Sequence, residues 1–126
     1  MVESIINSMF TVISERIDHT NILTDQKRKL GDKAAAQEVI NTLLHDIAYL
    51  DSSIVEANAL REKAIVNAIQ ADIAAKDFGK KERNMVKEDN KKIIGKVDDF
   101  IKFLTNSLQD ANDHLTVTRI EFANIK

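Results

Sequence analysis

The near absence of helix-breaking residues most constrains how this chain can fold. No proline occurs among its 126 residues, and there are only three glycines. Proline removes a backbone donor and breaks helices, while glycine loosens them. Apolar residues also recur at the helical period over long uninterrupted stretches. We therefore predict an all-α protein with more than about 75% helix and no sheet.

The pattern predicts three helices, over about residues 2–29, 33–77 and 81–125. A tight turn is expected between the first two, at residues 30–32. There Gly31 can take the left-handed conformation that ends many helices, and the Asp32 side chain can cap the helix that follows. Phe78 and Gly79 are expected to end the second helix.

Each predicted helix carries an apolar stripe that can form a core. In the first helix the stripe contains Val2, Ile6, Met9, Ile13 and Ile17. In the second helix, steps of three and four residues join Ala36, Ile40, Leu43, Ile47, Leu50, Ile54 and Ala57, and Leu60, Ala64, Ala68 and Ala75 continue the stripe. In the third helix it contains Val86, Ile93, Val97, Phe100, Leu104, Leu108, Ala111, Leu115 and Phe122. Such spacing is typical of helices that pack along their length.

These stripes predict a single helical domain over residues 1–126, folded as an elongated antiparallel three-helix, coiled-coil-like bundle. One alternative concerns Ser53, which with Glu56 fits a capping box that would start a new helix. A break there would give a compact four-helix bundle. We favour a continuous helix because the apolar stripe crosses Ser53 without interruption.

The predicted helices differ in length, and this affects what the chain can bury. Helices of about 45 residues span roughly 65–70 Å, whereas the first helix spans only about 40 Å. The first helix can therefore cover only part of the other two. We expect apolar surface beyond its end to be covered by another copy or by a partner protein.

Composition argues against most kinds of catalytic site. The chain has no cysteine, which excludes disulfides and thiolate chemistry. His19, His45 and His114 form no Glu-x-x-His pair, and the isolated glycines form no phosphate-binding loop. We expect no metal, no cofactor and no enzymatic activity.

Charge is unevenly distributed along the chain. From Lys76 to Lys96 there are eight basic and four acidic residues, while the rest of the chain holds ten basic and sixteen acidic residues. Nucleic-acid binding would require stacking aromatics among the basic residues, and Phe78 stands alone there. We therefore disfavour a nucleic-acid partner, and consider head-to-tail docking of a basic end on an acidic flank.

The amino-terminal segment has neither the basic region nor the apolar run of a cleaved export signal. No segment has the ~20 apolar residues of a membrane span. We expect a cytoplasmic location, with export by a route that needs no cleaved signal left open.

Some apolar residues lie off the predicted stripes. Phe103, Val117 and Ile120 point away from the stripe of the third helix, and Ile22 lies opposite the stripe of the first. Single exposed apolar residues are common. Because three share one helix, we predict that these four residues contact another protein chain rather than the monomer core.

The segment Leu108-Gln-Asp-Ala-Asn-Asp-His-Leu115 resembles the late helix of flagellar export chaperones. The resemblance covers eight residues and lacks the glycine expected after Asn112. It implies a small all-helical protein that shields a protein client.

The sequence thus predicts a non-catalytic helical interaction or assembly protein, an oligomer whose copies self-associate or which docks into a larger complex. The alternative is a small helical chaperone or inhibitor that binds and shields a protein client.

Overall fold

A computed structural model describes residues 1–125 and confirms the all-α prediction. Its three helices are α1 (Val2–Leu30), α2 (Lys33–Ala74) and α3 (Lys80–Asn124). Of the residues described, 93% are helical and none lies in a strand. The three helices pack against one another as a three-helix bundle.

The turn between α1 and α2 forms as predicted. Gly31 has a φ of 66°, the left-handed conformation that glycine adopts without strain. The Asp32 carboxylate accepts a hydrogen bond from the Ala35 backbone N–H at 2.7 Å and so caps α2. These two residues together reverse the chain with no intervening loop.

The turn between α2 and α3 differs from the prediction by a few residues. α2 ends at Ala74 rather than Asp77, and α3 begins at Lys80 and ends at Asn124. The backbone N–H of Lys76 bonds to the carbonyl of Ile73, three residues earlier. This shorter step tightens the end of α2 and starts the turn early.

α2 continues through Ser53 without a break, so the four-helix alternative is wrong. Ser53 is buried on the side of α2 that faces the core, whereas Ser52 is exposed. The apolar stripe on both sides of Ser53 is packed against the other helices, and this packing outweighs the local capping signal.

Ion pairs between helices show how the chain runs. Arg61 of α2 pairs with Asp98 of α3, which matches an antiparallel hairpin. α1 lies antiparallel to α2 and parallel to α3, because Glu3 pairs with Lys96 at 2.7 Å and Arg28 with Glu121 at 3.2 Å.

The predicted stripes supply the core. The largest fully buried side chains are Ile13, Leu43, Val97 and Leu104. A main cluster joins α1 to the middle of α2 and α3, and a smaller one around Val39 and Leu115 lies near the first turn.

The length mismatch divides the molecule into two regions. Val2 borders a common pocket with Ala64, Asn90 and Ile93, so α1 starts at that level. We call residues 1–67 and 90–125 the body, and residues 68–89 the arm. The arm is a two-helix hairpin that extends about 10–15 Å past α1.

In the arm, the predicted stripe of α2 is not exposed as expected. Ala68 is half-buried and Ala75 is buried, because small side chains let the hairpin close tightly on itself. Ala75 is nevertheless the one buried residue of the arm, all of which is described. The apolar surface exposed there belongs to other residues, among them Ile69, Ile73 and Met85.

Candidate protein-binding surface

A second apolar stripe runs along α2 on the face that points away from the bundle. We call it the outer seam and define it as Leu44, Ala48, Val55, Ala59, Val66, Ile69 and Ile73. All seven residues are exposed, and the large ones range from 42% exposure at Leu44 to 70% at Val55. α2 is thus apolar on two sides.

Helix geometry places the two stripes on opposite sides of α2. At 3.6 residues per turn, the outer seam lies about 160° around the helix from the buried stripe through Leu43, Leu50 and Ala57. α1 and α3 both pack on the buried side. Neither helix of this chain can therefore reach the outer seam.

The outer seam is apolar but not continuous. Asp51 and Glu62 lie within it, and both are exposed. Exposed large apolar residues are ordinary when scattered singly, but a row along one helix face marks an interaction surface. The spacing of three, four or seven residues is the one that lets a second helix pack along the row.

The four residues predicted to bind a protein occupy different environments. Phe103 is half-buried against the main core cluster, so the expectation that it lies off the monomer core is wrong. Its ring centroid lies 4.8 Å from that of Phe10 and 6.3 Å from that of Phe100. The wide apolar stripe of α1 reaches Phe103 through Phe10, a contact that the helical wheel of α3 alone does not reveal.

Val117, Ile120 and Ile22 are exposed, at 46%, 58% and 59%. Val117 and Ile120 lie one turn apart on the outer side of α3, close to Asp110 and Asp113 in the helix. Ile22 lies on α1, facing away from the stripe that packs on the core. Val117 and Ile120 form a smaller apolar patch than the outer seam.

A polar cluster lies between α1 and α2, and it was not predicted from the sequence. The buried Asp46 carboxylate accepts hydrogen bonds from Arg16 Nε at 2.7 Å and from the Thr20 hydroxyl. The Arg16 guanidinium also lies over the Tyr49 ring, 4.6 Å from its centroid. These contacts fix the position of α1 along α2.

The cavity beside this cluster is small. It has a volume of about 90 Å³ and is bordered by Asp46, Asp110 and His114 among others. Pockets for small molecules usually have about 300–1,000 Å³. Burial, assisted by the nearby Arg28, lowers the pKa of His114 below its ordinary value. The cluster is thus a contact that packs α1 against α2, beside a cavity smaller than most small-molecule pockets.

The basic segment from Lys76 to Lys96 covers the turn of the arm and the first part of α3. Lys96 pairs with Glu3, and within residues 1–125 the other seven basic side chains form no ion pair. Phe78 and Met85 are exposed among them. The end of the arm therefore presents apolar side chains together with unpaired positive charge.

His19 and His45 are exposed, and His114 is half-buried. Among the residues described, no group of three or more His, Asp and Glu side chains is arranged to hold a metal ion. In the same part of the chain, no helix combines the length and the apolar character needed to cross a membrane.

Comparison of the chain with protein-family models, with curated proteins and with solved structures finds no match. The resemblance of residues 108–115 to flagellar export chaperones is therefore not extended by these comparisons.

Proposed function

We propose that this chain is a non-catalytic helical assembly protein whose copies self-associate. The observation that carries the proposal is the outer seam, an exposed apolar stripe that runs along α2 from Leu44 to Ile73. Hydrophobic burial is the main favourable term in protein association. Burying a Val or Ile side chain contributes up to about 1.5–3 kcal/mol.

The extent of the molecular surface supports the same proposal. The accessible surface is 8431 Å². A compact monomer of 14.2 kDa would expose about 6,800 Å². The excess of about 1,600 Å² is twice what each partner buries in a complex of standard size. An elongated shape with this much surface suits a subunit of an assembly.

Val117, Ile120 and Ile22 remain predicted protein-binding residues within this proposal, as a second surface separate from the outer seam. Phe103 remains a predicted protein-binding residue only through the exposed part of its ring. A subunit with two surfaces can join more than two copies, so the two surfaces need separate tests.

Sedimentation equilibrium over a hundredfold range of concentration tests the proposal. The parent chain is expected to grow in mass with concentration, and the Val66→Ser/Ile73→Ser variant to lose most of this growth. Serine has nearly the helix propensity of valine and isoleucine, so α2 should be preserved. Circular dichroism of the variant checks this directly.

The Val117→Ser/Ile120→Ser variant is the matched comparison, since it removes two exposed β-branched residues from α3. Loss of association in this variant alone would move the interface to α3 and contradict the assignment to the outer seam. A parent chain that stays monomeric throughout would overturn self-association, and would favour the alternative of a chaperone or inhibitor that shields a client.

A further inference from the structure

Part of the outer seam is symmetric along α2, and this symmetry, together with the charges beside it, favours a second copy as the partner. Ala48 and Ile73, and Val55 and Val66, are equally distant from a point between Leu60 and Arg61. The other seam residues have polar counterparts, since Ala59 matches Glu62, Ile69 matches Ser52 and Leu44 matches Asp77. The two apolar pairs allow the seam to pack against a reversed copy of itself, with apolar side chains facing apolar side chains at four places. A partner with an unrelated sequence does not require this symmetry.

We propose that two copies pair through the outer seams of their α2 helices, antiparallel, about a two-fold axis between Leu60 and Arg61. This inference rests on the proposed function and names its partner. In such a dimer Val55 packs against Val66 of the partner subunit, and Val66 packs against Val55 of the partner subunit. Each contact therefore occurs twice, as a two-fold interface requires.

Charges beside the seam fit the same alignment. Glu56 and Lys63 lie on the same flank of the outer seam, and both are exposed. In residues 1–125 neither forms an ion pair with another side chain. In the antiparallel dimer the matching flanks meet, which brings Glu56 of each copy close to Lys63 of the partner subunit. A parallel, in-register pair would instead place Glu62 next to its own copy.

The alignment also covers the α2 side of the arm. Ile73 of the arm packs against Ala48 in the body of the second copy, so each arm lies along the other body. The two α2 helices overlap over residues 47–74, a length of roughly 42 Å. Small residues at 48 and 59 allow close approach of the helices where large ones face them.

Engineered cysteines test the direction and register, because the chain has no cysteine of its own. Val55→Cys and Val66→Cys variants are prepared separately, then oxidised alone and as an equal mixture. In the proposed dimer a disulfide joins position 55 of one variant to position 66 of the other, so the mixture cross-links. In either variant alone the two thiols are about 16 Å apart along the axis. That distance exceeds the roughly 7 Å that a disulfide spans.

The Asn106→Cys variant, with its thiol on the exposed face of α3, is the control that measures cross-linking by random collision. Cross-linking of Val55→Cys or Val66→Cys alone, above this control, would show a parallel pair and overturn the inference. A parent chain that self-associates while no cross-link forms in any sample would also overturn it, and would leave self-association standing. A monomeric parent chain would instead refute the proposed function itself.

A charge exchange tests the flank contact independently. Lys63→Glu places two negative charges together at both of the symmetric flank contacts. It should therefore raise the dimer dissociation constant about threefold to tenfold. The double variant Glu56→Lys/Lys63→Glu restores opposite charges and should restore the parent affinity. Failure of the double variant to recover would contradict the antiparallel register.

Discussion

The body and the arm are built from the same two long helices but differ in what those helices bury. In the body, α1 covers the groove between α2 and α3, and Ile13, Val97 and Leu104 lose nearly all contact with solvent. In the arm, Ala75 alone is buried, and Ile69, Ile73, Phe78 and Met85 are exposed. The difference teaches that the packing of α1 on the other two helices makes the core, and that beyond the start of α1 the α2–α3 hairpin becomes a surface.

The largest expected effect tests whether the body supplies the stability. Leu104→Ala removes a fully buried branched side chain, and should lower the free energy of unfolding by about 2–4 kcal/mol. Val86→Ala in the arm truncates a half-buried side chain, and should cost less than about 1 kcal/mol. Urea denaturation of both variants at low concentration gives the values. Equal losses would mean that the arm is packed as well as the body.

The next effect concerns the polar contact that places α1 on the body. Asp46→Ala leaves Arg16 and Thr20 without their shared acceptor, and should cost about 1–3 kcal/mol. Asp110 borders the same cavity but is exposed. Asp110→Ala should therefore change the free energy of unfolding by less than about 0.5 kcal/mol. Thermal melts of the pair decide whether Asp46 has a specific role or whether any nearby carboxylate has the same effect.

Substitutions at two glycines should change stability by smaller amounts, in opposite directions. Gly95 lies in α3 close to where the body meets the arm, with no atom within 4 Å of an added Cβ. Gly95→Ala should therefore stabilise the chain by about 0.5–1 kcal/mol. Gly31 has equal space but a φ of 66°, so Gly31→Ala should destabilise it by about 1–2 kcal/mol. The same sign for both changes would contradict the conformations assigned to them.

The smallest expected effect is a pH dependence within the body. Burial and Arg28 lower the pKa of His114, while Glu121 and Asp25 act in the opposite direction. The unfolded chain therefore binds a proton at His114 more readily, and stability falls as pH drops below the ordinary histidine pKa towards the lower folded value. His114→Gln should show a shallower loss between pH 7.5 and pH 5.5 in urea denaturation. An identical slope in parent and variant would show that His114 titrates alike in both states.

The sequence predicted the fold well because the fold depends on signals that act locally. Gly31 and Asp32 have a steric and a hydrogen-bonding reason to form a turn, and the structure shows both. The stripe through Ser53 predicted a continuous α2 because core packing outweighs one capping motif. The predicted ends of α2 and α3 were less accurate, because turn hydrogen bonds compete there with the last helical hydrogen bonds.

The candidate surface was predicted less well, for two reasons. Phe103 was placed outside the core because the helical wheel of α3 does not show where Phe10 of α1 lies. The outer seam was missed although its spacing is visible in the sequence, because the stronger stripe on the opposite side of α2 accounted for that helix. Which of two apolar stripes faces the core depends on where the other helices pack.

The parallel course of α1 and α3 has a consequence for how the chain folds. Helices that follow one another along the chain are joined by short turns, so their contacts can form by zipping outward from Gly31 and Gly79. The pairs of Glu3 with Lys96 and Arg28 with Glu121 instead join residues 93 positions apart. Closing so long a loop costs entropy that the hairpins do not require. We therefore expect the two hairpins to form first and the contacts between α1 and α3 to complete folding last.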